Sequence, residues 1–237
     1  MKLKQITFTG IDHRTDLDTL ELIQRSYPFV EFGVLLSTDW KANGNRYFNP
    51  QFLPVFEHRT LRLSAHLCGA LARYAVRNKW EKVYEVTGEY FHVFDRCQLN
   101  IAGRKDNPEM LETRVPYFLN EVIIQQKSAD DCELWRMGKT ADEVTMLLDA
   151  SGGQGIDTPI KVLETQHFKI GYAGGINEFN VAEKLDYLLS NDKVGDFWID
   201  MESGVRSDDW FDTTKVWNVL EECDKVINKH NKHNISY

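Results

Sequence analysis

The chain has 237 residues, 42% of them hydrophobic and 27% charged, with a formal net charge of −8. That balance belongs to a globular chain and excludes extended disorder, while the acidic excess excludes a broad basic face for nucleic acid. No apolar run approaches the roughly 18–20 residues that cross a bilayer, which excludes a membrane span of that kind.

Met1-Lys-Leu-Lys4 runs into a strand-like segment with no signal-peptide core between, so the expected location is cytoplasmic. Cys68, Cys97, Cys132 and Cys223 lack paired spacing, which points to reduced thiols and away from a zinc ribbon or disulfide framework. In chain order, strand-like runs occur at 5–11, 29–37, 61–67, 97–102, 121–126, 144–149, 168–173 and 196–202. Helix-compatible stretches follow at 15–26, 50–57, 69–94, 108–118, 129–143, 158–166, 178–190 and 213–230. Strands alternating with helices imply βαβ units and a parallel sheet. Eight units predict an α/β chain closed into a (β/α)8 TIM barrel, one domain over 1–237, with the polar 228–237 expected to fray.

Local signals support these elements. Asp16 precedes Leu17 and Leu20 as a helix cap, and Val181, Leu185, Leu188 and Leu189 form one helical stripe behind Asn177 and Asn180. The 69–94 stretch is aromatic and carries Gly88 as a break, which leaves two helices or a helix with a packed loop. In such a barrel the chemistry gathers at the C-terminal strand ends. Those ends carry Thr9, Ser37, His66, Asn100, Gln125 with Lys127, Asp149, Gly174 with Gly175, and Asp200 with Glu202 and Ser203. The bland alternative is that polar residues simply end strands; their recurrence at each end favours a functional mouth.

Three late strands end in small or acidic residues: Asp149-Ala-Ser-Gly152-Gly153-Gln-Gly155, Ala173-Gly174-Gly175-Ile176, and Asp200-Met-Glu202-Ser203-Gly204-Val205. Glycine loops followed by helices present backbone N–H groups in a concave anion site, so a phosphorylated small molecule is the first ligand to consider. The same three motifs, with Asn180-Val181, Asp212 and Lys215 behind them, resemble phosphoribosylanthranilate isomerase. Fainter likenesses are Thr9-Gly10-Ile11 and Gly33-Val-Leu-Leu36 leading to Asn45-Arg46-Tyr47-Phe48. The resemblance implies a TIM-barrel isomerase of tryptophan biosynthesis that carries out an Amadori rearrangement without a cofactor.

On that resemblance Asp149 is the general acid that protonates the sugar ring oxygen. Gly152, Gly153, Gly174, Gly175, Ser203 and Gly204 hold the phosphate. Arg46 approaches the substrate carboxylate and, with Thr9, contacts the substrate. The family's first-strand cysteine, its general base, is replaced by Thr9, and an unassisted threonine hydroxyl is no base. Phe211 and Glu202 stand where the family commonly has lysine and serine. Candidate bases are His66, Glu202, Asp12 and His13, with His66 preferred because it ends a strand with Gly69 close behind. Each has a structural alternative: a core histidine for His66, a helix cap for Asp149, a surface charge for Arg46.

Three functions remain open on the sequence alone: the isomerase, a phosphometabolite binder without its base, and another sugar-phosphate isomerase, epimerase or lyase, the last with Lys127 as a Schiff-base nucleophile. His230 and His233 have helical spacing for a metal but lie in a polar tail, so no metal is expected. Monomer and homodimer are both compatible with the sequence.

Overall fold

The computed structural model describes residues 2–41, 44–101, 116–128, 144–164 and 169–233. Eight strands carry the fold: β1 (Leu3–Thr9), β2 (Val30–Leu36), β3 (Leu63–Leu67), β4 (Arg96–Leu99), β5 (Glu121–Gln126), β6 (Val144–Asp149), β7 (Ile170–Ala173) and β8 (Phe197–Met201). Each is hydrogen-bonded to the next and β8 returns to β1, all in parallel, which closes the barrel expected from the alternation. Each expected strand overlaps an observed one.

Side chains alternate across a strand, so every strand gives one set to the helices and one to the barrel interior. The outward set is apolar: Ile6, Phe8, Phe32, Val34, Leu63, Leu67, Ile124 and Ile199 belong to one large buried cluster shared with the helices. The inward set is layered. At the N-terminal floor, Arg96 forms a bidentate pair with Glu31 at 2.8–2.9 Å and donates to Glu121 at 2.7 Å. Thr7 donates to Glu31 at 3.0 Å and Lys169 to Glu121 at 2.8 Å. Burial opposes the Arg96 charge, but Glu31 and Glu121 outweigh it and hold its pKa above the ordinary value. Above this floor Trp198, Ile123 and Leu147 fill the bore. Trp198 reaches across because β7 offers only Gly171 there; a Cβ on that residue would stand 2.3 Å from the indole ring. The third layer is polar and opens into the mouth.

The helices are α1 (Leu17–Ser26), α2 (Ala70–Val76), α3 (Trp80–Thr87), α4 (Val181–Ser190) and α5 (Thr213–His233). α1 begins where Asp16 accepts from Asp18 N and Thr19 Oγ1, and it buries Leu20 and Ile23. The 69–94 stretch resolves into α2, α3 and a 3₁₀ helix over Gly88–Val93, broken at Asn78 and Gly88, both at positive φ. Residues 50–56 form a 3₁₀ helix instead of the expected α-helix, because Pro54 has no N–H to donate inside it. The expected helix at 158–166 is not formed over 158–164. Pro159 removes a donor and biases Thr158 towards extended backbone, and Lys184 of α4 pins the segment through Thr158 O at 2.6 Å and Asp157 at 2.8 Å. Expected helix at 108–115, 129–143 and 165–166, and Cys132, lie outside the described residues.

α5 continues through 228–233, part of the stretch expected to fray, where Asp186 of α4 accepts from Lys229 at 2.9 Å and meets His230 Nε2 at 2.7 Å. His230 is thereby turned to a carboxylate of α4. A hairpin not expected from the sequence, Arg206–Ser207 against Trp210–Phe211, turns on Asp208 and Asp209, both at positive φ. Among the described residues no helix is long and apolar enough to cross a membrane.

Candidate active site

A cavity of about 350 Å³ opens at the C-terminal ends of the strands, where side chains from different strands converge in this architecture. Its wall brings together Thr9, Arg46, His66, Asp149, Gly152, Gly153, Gly174, Gly175, Glu202 and Ser203, residues read from scattered positions in the chain. Gly204 lies behind this wall, packed so closely that a Cβ would meet Ile176 O at 2.0 Å. Lys127 is exposed on the rim with its stem over Gly152. It does not line the cavity.

Asp149 ends β6 and is 4% exposed. Four donors converge on its carboxyl: Ser151 N at 3.1 Å and Ser151 Oγ at 2.7 Å on Oδ1, Gln125 Nε2 at 2.8 Å and Gly153 N at 2.6 Å on Oδ2. That fills the four acceptor sites a carboxylate has. The Ser151 hydroxyl is the donor that can rotate and accept instead, so it can accommodate a proton on Oδ1. The loop after β6 thus serves Asp149 directly. Gly152 N donates to Asp149 O at 2.9 Å and Gly155 N to Ser151 Oγ at 3.2 Å. The structure therefore corrects the expected phosphate role of Gly152 and Gly153: their N–H groups are already taken by Asp149.

The loops after β7 and β8 differ. The N–H groups of Gly174, Gly175, Ser203 and Gly204 have no internal acceptor among the described residues. Asn177 and Asn180 both donate to Gly175 O, at 3.2 and 2.9 Å, and fix the turn. Gly175 needs to be glycine: its φ is +62°, and a Cβ would press on Asp157 N at 2.3 Å.

Thr9 Oγ1 donates to Asp200 Oδ1 at 2.7 Å, between the adjacent strands β1 and β8. Burial raises the Asp200 pKa to about 7; the Thr9 hydrogen bond lowers it, and the charges of Glu202, Glu31 and Asp149 raise it. His66, the preferred base, is 1% exposed, and its Nε2 has no hydrogen-bond partner among the described residues. Thr9 Oγ1 and His66 Nε2 both crowd the position a Cβ would take on Gly33, at 2.5 and 2.9 Å, so β2 leaves room for them by carrying no side chain there. Burial, then the Arg96 charge, lowers the His66 pKa to about 3. A neutral imidazole so reluctant to take a proton is a weak base.

The same shift sets an acid limit on stability. Because His66 titrates lower folded than unfolded, its contribution is intact above 6.5 and declines as pH falls from there towards 3. Between about pH 6.5 and 4.5 we expect a loss of about 2–3 kcal/mol in urea unfolding. His66→Gln should remove that loss, and an unchanged acid slope in the variant would contradict the assignment.

Glu202 is 28% exposed and accepts from Arg46 Nη1 at 3.1 Å, while Asp209 meets Arg46 Nη2 at 3.5 Å. Burial raises the Glu202 pKa although Arg46 and Arg206 oppose it. Arg46 is thus neither the free surface charge of one reading nor an uncommitted carboxylate receptor. Asp12 is fixed by Phe211 N at 2.7 Å, Arg14 N at 2.9 Å and Arg206 at 3.6 Å, and His13 lies edge-on to Trp210. Asp212 and Lys215 are structural: Asp212 accepts from Ser207 Oγ, Thr214 N and Lys215 N at the start of α5, and Lys215 Nζ donates to Arg206 O at 2.7 Å. At the far wall Asn100 Nδ2 donates to Cys68 Sγ at 3.2 Å, and burial pushes the Cys68 thiol up to about 12, which leaves it unreactive.

Asp200 and Gln125 stand among the polar strand ends read from the sequence, where neither has an individual role; the structure pairs Asp200 with Thr9 and Gln125 with Asp149. The spacing of Asp200 from Thr9, 191 residues along the chain, carries no local signal; the only clue was that both end strands which a closed barrel makes neighbours.

Residues 104–222 match the family model for N-(5′-phosphoribosyl)anthranilate (PRA) isomerase. Among solved structures, the chain is similar to N-(5′-phosphoribosyl)anthranilate isomerase from Pyrococcus furiosus, at 16% identity and a TM-score of 0.55, over 93% of this chain and 98% of that one. It is also similar to phosphoribosyl anthranilate isomerase from Thermococcus kodakaraensis, at 14% identity and a TM-score of 0.55, over 93% and 99% of the two chains. At these identities the likeness concerns the fold. No curated protein sequence matches the chain.

Proposed function

Because the chain belongs to the N-(5′-phosphoribosyl)anthranilate isomerase family, we propose that it isomerises a phosphorylated amino sugar by acid–base catalysis. The observation that carries this reading is the division of the mouth. Asp149 is locked by four donors on one side, and the turns at Gly174-Gly175 and Ser203-Gly204 offer N–H groups without an acceptor among the described residues on the other. An anionic phosphate suits the second side, since unpaired N–H groups at a glycine turn and at a helix start attract negative charge. Its binding energy then orients the sugar towards Asp149.

In the Amadori rearrangement Asp149 protonates the furanose ring oxygen as its bond to C1′ breaks. A base takes the C2′ proton, and the resulting enol amine becomes the ketone. The sum is an internal hydrogen shift and calls for no cofactor. The other reading, a phosphometabolite binder without turnover, draws on Thr9: its hydroxyl is a donor to Asp200, so it cannot be the base itself.

The test is turnover of phosphoribosylanthranilate by the purified protein, with ribose 5-phosphate and ribose binding measured by calorimetry alongside. Turnover is the expected result. Ribose 5-phosphate bound without turnover would leave the binder, and equal affinity for ribose and its phosphate would overturn the phosphate assignment.

A further inference from the structure

On that isomerase reading, we propose that Asp200 is the base that takes the C2′ proton, with Thr9 as the positioning residue that holds it. The two line the mouth cavity on its β1–β8 side, and Asp149 lines it from β6. Thr9 occupies Oδ1 of Asp200; Oδ2 has no partner among the described residues. Asp149, in contrast, has both oxygens saturated by donors. A carboxylate takes a proton most readily through an unoccupied lone pair, and of the two aspartates that line the cavity Asp200 has one open, whereas Asp149 gains one only when the Ser151 hydroxyl turns to accept.

The other candidates are less suited. Glu202 is tied to Arg46 at the rim. His66 Nε2 is unpartnered and faces the same space beside Thr9, yet the Arg96 charge and deep burial disfavour its protonated form. It fits better as a neutral neighbour for a substrate hydroxyl. Asp200 titrates near neutrality, where a base is most effective, because burial and the charges of Glu202, Glu31 and Asp149 outweigh the Thr9 hydrogen bond.

The proton balance closes. The C2′–H bond breaks, an O–H bond forms at Asp200 Oδ2, and the electron pair becomes the C1′–C2′ double bond, discharging the iminium nitrogen. The proton on Asp200 then adds to C1′, and the C2′ hydroxyl proton returns to Asp149.

The experiment is the pH dependence of kcat/KM for phosphoribosylanthranilate in the wild type, Asp200→Asn and Thr9→Val. The wild-type rate should climb with pH and level off above an inflection near 7. Asp200→Asn should lose roughly 100-fold or more in turnover together with that inflection, while keeping ribose 5-phosphate binding. Its urea midpoint at alkaline pH should be at least that of the wild type, because the buried charge is gone. In Thr9→Val the carboxylate loses its donor, so the inflection should move to higher pH with activity recovered on the alkaline side.

An Asp200→Asn variant as active as wild type would overturn the assignment, as would a rate that falls through the inflection, which would make Asp200 an acid. An unmoved inflection in Thr9→Val would remove Thr9 from the pair. A wild type without turnover at any pH defeats the isomerase reading and this inference with it; an active wild type with an active Asp200→Asn defeats this inference alone.

Discussion

Asp149→Asn should lower turnover of the sugar phosphate by about 10²–10⁴-fold, the range that a positioned acid or base contributes, while leaving ribose 5-phosphate affinity nearly unchanged. An amide keeps the volume and loses the transferable proton. It also conflicts with its surroundings. With its NH₂ group at Oδ1 it faces the Ser151 N–H, and at Oδ2 it faces the Gly153 N–H, and neither backbone donor can turn round. One buried donor is left unmatched in either orientation, at a cost of about 1–3 kcal/mol in stability. The variant should therefore be both slow and less stable, as read from kcat and the urea midpoint. Full activity in Asp149→Asn would remove Asp149 from the chemistry.

The largest stability effect is expected at the opposite end of the barrel. Glu31→Leu should cost about 3–5 kcal/mol, because removing one partner strands a buried charge. Glu31 is fully buried and supplies two of the three side-chain hydrogen bonds of Arg96. The leucine also leaves Thr7 without its acceptor. Replacing Arg96 and Glu31 together by apolar residues should recover a large part of the loss, since the cost lies in breaking the set and not in lacking it. Urea unfolding of the single and double variants measures this directly. A Glu31→Leu protein as stable as wild type would mean that Arg96 finds another partner.

The barrel was legible because it rests on local regularities. Runs such as Val30–Leu36, all buried, and stripes such as Val181, Leu185 and Leu188 are short-range patterns that packing then uses. The motifs at Asp149, Gly174-Gly175 and Ser203-Gly204 were legible for the same reason. Partnerships between distant strands were not. Thr9 with Asp200, Arg46 with Glu202, and Arg96 with Glu31 and Glu121 exist only once the sheet closes. The glycines of the β6 loop misled because glycine marks any turn of unusual geometry. The sequence cannot say whether such a turn donates to a ligand or, as at Gly153, to the carboxylate four residues before it. The Asp208-Asp209 hairpin escaped notice because its turn positions lack the glycine that usually marks them.

Recruitment of one loop by Asp149, with the N–H groups of two others left without an internal acceptor among the described residues, has an evolutionary corollary. On the proposed reading the acid Asp149 ends β6 while the turns that would hold the phosphate follow β7 and β8, so a change at Asp149 can silence turnover without dismantling the grip. On that reading a lineage carrying this barrel can keep its grip on a metabolite after a single change at Asp149 has stopped its chemistry. In such a lineage retained affinity is a poor guide to retained chemistry, and the side chains at positions 9, 149 and 200 are where the two fates would diverge.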